Sequence, residues 1–349
     1  MGVRDIEYVE LYASERKPTL DYFVSSMGFA AVAESEGRDT RSVLLRQGGV
    51  QILLTTGPGT REFLEVHGDG IADIAVTCDD VDLTYDAALA AGARSVAGSG
   101  PARAVTGFGG VRHTLLPTGM SGSDGLPPDR AWTAVAASGS STGSASVPAS
   151  AGGRISSLDH VAVCLEAGTL ADYKQFYAEA FGLALYSAEY VAFGDQAMDS
   201  LVVRSESGGV TFTLIEPDKK KSAGQIDAFL DRNNGSGVQH LAFLVDEIVP
   251  AVHELGARGV QFLSTPGAYY DLLGKRFPEM GEEIAELRSA HVLADRDEWG
   301  YLLQLFTRSP YERNTLFYEF IQRRGSRGFG SSNIRALYEA VERGRLAAE

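Results

Sequence analysis

The chain is short of the residues that mark secreted, nucleic-acid-binding or membrane proteins. Among 349 residues only two are cysteine, Cys78 and Cys164, too few for a disulfide framework and without the spacing of a thiolate metal site. Both stand inside apolar, strand-like runs, IAVTCDD and HVAVCLE, where free thiols are expected to be buried. Basic residues are also scarce. The 31 Lys and Arg against 46 Asp and Glu give a formal charge of -15, which opposes a nucleic-acid partner or an anionic membrane surface. The single basic run, Lys219, Lys220 and Lys221, reads as a solvated turn. No apolar run approaches the roughly 20 residues that span a bilayer. Acidic residues interrupt the first segment, MGVRDIEYVELYAS, where an export signal needs a continuous apolar stretch, so a cytoplasmic location is expected.

What the chain has in excess is concentrated. Residues 136–153, AASGSSTGSASVPASAGG, cannot bury enough apolar surface to order themselves and read as a linker. The flanking parts, 1–135 and 154–349, each fall in the usual size range of a domain. They also repeat each other. IEYVELYA from Ile6 mirrors LDHVAVCL from Leu158, both alternating as strands do. Each is followed by an amphipathic helix pattern, Leu20, Phe23, Val24 and Met27 in one copy and Tyr173, Phe176, Tyr177 and Ala180 in the other, closed by Gly28 or Gly182. HGDGIADIAVTCDDV from His67 mirrors NGSGVQHLAFLVDEI from Asn234. The strand-helix-strands unit recurs within each part as well, so the expected fold is α+β: two domains, each an open, curled mixed sheet with helices outside.

Six histidines can be weighed one by one. His67, His253 and His291 lie among polar neighbours and suit surface or capping roles, and His113 in VRHTLL has nothing acidic near it. His160 and His240 interrupt apolar strands at matching places in successive repeat units, where an imidazole must find a partner. Glu319 interrupts TLFYEFI, with Thr315, Phe317 and Ile321 on its face, and a carboxylate there needs a cation or strong donors. A buried ion pair with Arg323 or Arg324 is the plain alternative for Glu319; a metal accounts for all three together. Two histidines and a carboxylate with no thiolate suit a non-haem iron(II) oxygenase, although zinc hydrolases use the same set. The N-terminal copy carries Tyr8 and Asp73 at the histidine positions, so it is expected to lack a metal and to serve as a structural or homo-oligomerisation half.

The motifs LDHVAVCL, GQIDAFL, GVQHLAF, TPGAYYDLL, YLLQLFT and FYEFIQRRGSRGFGSSNIRALYEAVE resemble the 4-hydroxyphenylpyruvate dioxygenase family, two-domain members of the vicinal-oxygen-chelate fold built from βαβββ units. The resemblance covers nearly the whole chain. It implies Fe(II) as cofactor, held by His160, His240 and Glu319, with 4-hydroxyphenylpyruvate and O2 as substrates. It further implies a substrate pocket formed by Ser200, Gln225, Gln239, Gln304 and Phe329, under a C-terminal lid helix that starts near Asn333 and carries Ile334. In one stretch the chain departs from the homogentisate-forming members, which read Pro-x-Asn-Glu-Pro where this chain has Thr213-Leu214-Ile215-Glu216-Pro217. The lid start also differs, with Ser-Ser-Asn-Ile in place of Gly-Asn-Phe. Both departures resemble the branch that hydroxylates the benzylic carbon to give 4-hydroxymandelate. Homogentisate formation is the nearest rival, followed by a zinc-dependent lyase or hydrolase and a non-catalytic aromatic-ligand binder on the same fold.

Overall fold

The structure is a computed structural model that describes residues 2–97, 102–119, 125–128, 130–135, 153–330 and 333. The first part contains β1 (Val3–Tyr12), α1 (Arg16–Asp21), β2 (Ala30–Glu36), β3 (Arg41–Gln47), β4 (Val50–Thr56), α2 (Arg61–His67), β5 (Gly70–Cys78), α3 (Val81–Ala90), β6 (Ser95–Val96), β7 (Arg103–Thr106), β8 (Arg112–Pro117) and β9 (Thr133–Ala134). The second contains β10 (Ile155–Cys164), α4 (Leu170–Phe181), β11 (Ala184–Phe193), β12 (Gln196–Arg204), β13 (Thr211–Pro217), α5 (Gln225–Asn233), β14 (Gly237–Val245), α6 (Ile248–Ala257), α7 (Gly267–Arg276), α8 (Glu283–Ser289), β15 (Leu293–Arg296), β16 (Tyr301–Phe306) and β17 (Phe317–Arg324). Residues 136–152 of the expected linker, and the expected lid helix beyond Asn333, lie outside the described residues. No helix among the described residues is long and apolar enough to cross a membrane.

Each part forms one mixed sheet. The orders are β6-β7-β8-β5-β1-β4-β3-β2-β9 and β11-β12-β13-β10-β14-β17-β16-β15. Read from opposite ends they are the same arrangement, two βαβββ units joined through their first strands, with β9 added to the first sheet and α7 and α8 inserted in the second. The joining strands are the most deeply placed. All nine residues of β5 are buried, which explains why its sequence is nearly all small or aliphatic.

Alternation assigns the two faces of each sheet. In β10, Val161 and Val163 enter the large core while Ala162 and Cys164 face the concave side. That large core is shared: Leu11, Phe23, Phe29 and Leu54 of the first part and Phe212, Phe243, Tyr318 and Phe320 of the second belong to one contiguous cluster. The β3–β4 turn docks on the start of β10, where Gly49 N–H donates to Ser156 O at 2.7 Å and Ile155 N–H donates to Gln47 Oε1 at 2.8 Å. Gly48, at φ +54°, is required there, since a Cβ would lie 2.5 Å from the carbonyl oxygens of Ile155 and Ser156. The first helix differs from the expected pattern. It passes after Asp21 into a π-helical turn, Tyr22–Ser26, which rotates Val24 out to 38% exposure while Phe23 and Met27 stay buried.

Candidate metal centre

The paired strands β10 and β14 carry three register irregularities, between Ile155 and Ser157, Leu158 and His160, and Ala162 and Val163. In β1 and β5 the irregularities fall at the equivalent places, Val3/Asp5, Ile6/Tyr8 and Glu10/Leu11. The backbone device is therefore common to both halves. Two of the three extra residues in the second half are Asp159, just before His160, and Gln239, just before His240. A bulge re-aims its side chain, and here each one accepts from the histidine that follows. His160 Nδ1 lies 2.9 Å from Asp159 Oδ1, and His240 Nδ1 lies 3.1 Å from Gln239 Oε1. With Nδ1–H donated to these oxygens, Nε2 of both rings is left as a lone-pair donor on the concave face.

His160, Ala242 and Glu319 stand in one row across β10, β14 and β17. Ala162 is likewise the partner of His240. Small side chains thus separate the ligand-type residues and leave space between them. Glu319 Oε2 lies 3.4 Å from His160 Nε2 and 3.3 Å from His240 Nε2, and the three donor atoms fall within 4.8 Å of one another. Donors about 2.1 Å from a common ion at near-right angles would be separated by about 3 Å, so the set fits a metal with little movement. All three residues are buried, Glu319 at 1% exposure. Burial first, and then the neighbouring His160, lowers the pKa of His240, while its contact with Glu319 opposes the shift; a neutral imidazole is the ligating form. No other group of three such residues with converging donors occurs among the described residues.

The remaining expected site residues divide into two sets. Gln304 and Asn333 are tied to Glu319 rather than open to a ligand: Gln304 Nε2–H donates to Glu319 Oε1 at 2.7 Å, and Asn333 Nδ2–H donates to Gln304 Oε1 at 2.8 Å. Asn333 Oδ1 in turn accepts from the Tyr269 hydroxyl at 3.1 Å. Ser200, Thr213 and Ile215 share the concave wall of β12 and β13, where Ser200 pairs with Ile215. Ile215 packs with Ala162, Cys164, Met198, Ile226 and Phe229 in an apolar cluster, and Thr213 Oγ1 is buried without a partner. Gln225 stands half-buried in the first turn of α5, the helix that brings Ile226 and Phe229 onto that wall. Phe329 lies edge-on to His160, with ring centroids 5.2 Å apart. Ile334 lies outside the described residues.

The readings of His67, of Thr315 and of an ion pair between Glu319 and Arg323 or Arg324 are corrected, whereas His113, Tyr8 and Asp73 stand where the sequence put them. His67 is buried at the junction of the halves, with Nδ1–H donating to Asn233 O at 2.7 Å. Thr315 precedes β17 and lines a small cavity beside His67 rather than the metal side. His113 is fully buried, its Nε2 accepting from the Tyr177 hydroxyl at 2.9 Å. Arg323 and Arg324 pair with Asp159 and Glu283, not with Glu319. The first half has Tyr8, Asp73 and Thr114 at the positions of the three candidate ligands. Asp73 there accepts from Thr114 Oγ1 at 2.6 Å and from Arg112 Nε at 2.8 Å, and Glu10 accepts from Arg112 and Arg130. Burial pushes the Glu10 carboxyl up, but the two arginines outweigh it and hold it below its ordinary range. Glu216, inside the departing stretch, faces the other way: its Oε2 accepts the N–H groups of Gly168, Thr169 and Leu170 at the start of α4.

Residues 1–112 match the family described as "Hydroxyphenylpyruvate dioxygenase, HPPD, N-terminal", and residues 157–305 match the "Glyoxalase/Bleomycin resistance protein/Dioxygenase superfamily". Along 97% of its length the chain is 32% identical to a 4-hydroxyphenylpyruvate dioxygenase of Aspergillus fumigatus, covering 91% of that protein. A Pseudomonas sp. (strain P.J. 874) protein of the same name is 31% identical over 99% of this chain and 96% of its own. Among solved structures, a triple mutant of 4-hydroxymandelate synthase from Streptomyces coelicolor is similar with a TM-score of 0.88 and 49% identity, covering 99% of this chain and all of that one.

Proposed function

The chain belongs to the 4-hydroxyphenylpyruvate dioxygenase family, and from that premise we propose that it holds iron(II) between His160, His240 and Glu319 and converts 4-hydroxyphenylpyruvate and O2 to 4-hydroxymandelate and CO2. The convergence of two imidazole Nε2 atoms and one carboxylate oxygen in a buried concave face supports the metal. When bound there, iron(II) supplies activation of O2, with loss of the 2-oxo acid's carboxylate as CO2.

The chain's own residues do the rest by orientation. Asp159 and Gln239 turn the two imidazoles so that Nε2 faces inward. Gln304 occupies Oε1 of Glu319 and leaves Oε2 toward the histidines. The wall of Ala162, Met198, Ile215, Ile226 and Phe229 excludes water from the space beside the ligands and offers an aryl group an apolar bed. At position 215 the wall has no amide with which to hold the ring or its phenol. In this reading the ring settles so that its benzylic carbon, not its C1, lies toward the reacting centre; a shift of about 1 Å suffices to redirect a reaction. The 49% identity with a 4-hydroxymandelate synthase structure favours the same product. The test is to supply the iron-loaded protein with 4-hydroxyphenylpyruvate in air and identify the product chromatographically. Homogentisate as the sole product refutes the benzylic assignment, and turnover without O2 by a zinc-loaded protein refutes the oxygenase.

A further inference from the structure

We propose that Arg323 is a positioning residue that ties the orientation of His160 to the seating of the turn at 326–329, so that metal binding and the ordering of that turn are linked. The inference rests on the metal assignment above.

One guanidinium makes all the connections. Its Nε–H and Nη2–H donate to the two carboxylate oxygens of Asp159 at 2.6 and 2.7 Å. Its Nη1–H donates to Gly328 O at 2.7 Å, with a longer contact to Ser326 O at 3.4 Å. Phe329 covers the guanidinium at 5.2 Å and also meets the His160 ring. Asp159 is the bulge residue that receives His160 Nδ1–H, and the pair with Arg323 is largely buried, at 20% and 10% side-chain exposure. Both oxygens of Asp159 are thus committed to Arg323 and His160, and this arrangement holds the imidazole with Nε2 inward.

The turn is fastened from its other side by Asp297, whose Oδ2 accepts from Ser326 Oγ and from the N–H groups of Arg327 and Gly328 at 2.7 to 2.8 Å. Arg323 thus joins the turn to His160 through Asp159 by short hydrogen bonds, beside the ring contact of Phe329 with His160 and a longer contact of Phe329 O with Gln304 Nε2 at 3.5 Å. A planar fork that serves a carboxylate on one edge and a carbonyl with its remaining N–H has no lysine equivalent. Linkage is reciprocal: if a seated turn favours the inward His160, metal at His160 favours the seated turn by the same factor.

The test uses the full-length apo protein and Zn(II), titrated calorimetrically, with hydrogen exchange of peptides covering 325–330 measured with and without the metal. Zinc binding by wild type that disappears in His160→Ala establishes the metal assignment; absence of zinc binding by wild type, or its survival in His160→Ala, removes that assignment and the inference together. Given the site, Arg323→Gln is expected to weaken zinc binding about tenfold or more and to abolish the zinc-induced protection of 325–330, and Arg323→Lys is expected not to restore that protection. Wild-type affinity in Arg323→Gln, or protection still gained on adding zinc, overturns the proposal. Should Arg323→Gln fail to fold, Asp159→Asn decides: it leaves the bond to Gly328 in place, so an unchanged zinc affinity in that variant is equally fatal.

Discussion

The buried contact between His113 and Tyr177 makes a quantitative prediction about acid stability. His113 Nδ1–H faces Ile74 O at 3.2 Å and Nε2 accepts from the Tyr177 hydroxyl, so the neutral imidazole satisfies both neighbours. Burial drives its pKa down from 6.5 to about 4, against a smaller raising effect of the Ile74 carbonyl. The unfolded chain takes up this proton near pH 6.5 and the folded chain only near pH 4. Between those limits the unfolded state binds more protons, so stability rises with pH there. The contribution is fully present above pH 6.5 and is lost progressively as the pH falls to about 4. At about 1.4 kcal/mol per pH unit, the interval amounts to about 3 kcal/mol, a large share of the 5–15 kcal/mol typical of a folded protein. Urea unfolding at pH 7.5, 6.0, 5.0 and 4.5 measures it. Carboxylates also contribute to acid lability, so the comparison is with His113→Gln, which does not titrate and offers a donor and an acceptor. The wild type should lose about 3 kcal/mol more than this variant over the range. Equal slopes for the two proteins would refute the assignment to His113.

Other outcomes follow from the site. His160→Ala, His240→Ala and Glu319→Ala should each abolish turnover and bound metal while the circular dichroism spectrum stays that of the wild type; activity retained in any of them removes that residue from the set. Ala242→Leu, which fills the gap between His160 and Glu319 in their row, should prevent metal binding without touching a ligand, as read by metal analysis of the purified protein. Ile215→Asn should divert part of the product from 4-hydroxymandelate toward ring-attack products, at a stability cost of about 1–3 kcal/mol if the amide is unpaired; an unchanged product ratio at an unchanged rate places the selector elsewhere. Asp73→Ala, which strips Arg112 of a buried partner, should destabilise the protein by about 3 kcal/mol and leave the metal content of the chain unaltered.

The duplication, the position of both histidine strands and the isolation of Glu319 in an apolar run were all legible in the sequence, because each rests on local periodicity. What escaped depends on contacts between distant segments or on a broken period. Gln239 is expected in the substrate pocket by resemblance and Asp159 is not singled out; only a bulge, which alternation does not announce, turns each toward the neighbouring imidazole. Arg323 enters the sequence reading only as an alternative partner for Glu319, four residues away, whereas its carboxylate comes from Asp159 on another strand. His67 has polar neighbours in sequence, and its acceptor, Asn233 O, belongs to the other half. Gln304 and Asn333 could be placed near the site by resemblance, but only the folded arrangement shows them bonded in series behind Glu319.

The matching bulges in the two halves carry a consequence for how such a site can arise and disappear. Because the backbone irregularities are present where there are candidate ligands and also where there are not, the main chain does not owe its shape to a metal. Gain or loss of the centre is then a matter of few side chains on an indifferent frame. The first half is a blank of the second: Tyr8, Asp73 and Thr114 mark the three positions, and Glu7, the bulge residue before Tyr8, already supplies a carboxylate where Asp159 stands in the copy with the candidate ligands. Ala72, at the place of Gln239, has nothing to offer an imidazole, and Glu10, Arg112 and Arg130 fill the space with fixed charge. Rebuilding a centre there would therefore demand clearing an ion-pair network as well as installing ligands. A repeated fold can in this way differ between its halves in candidate ligands without altering its course.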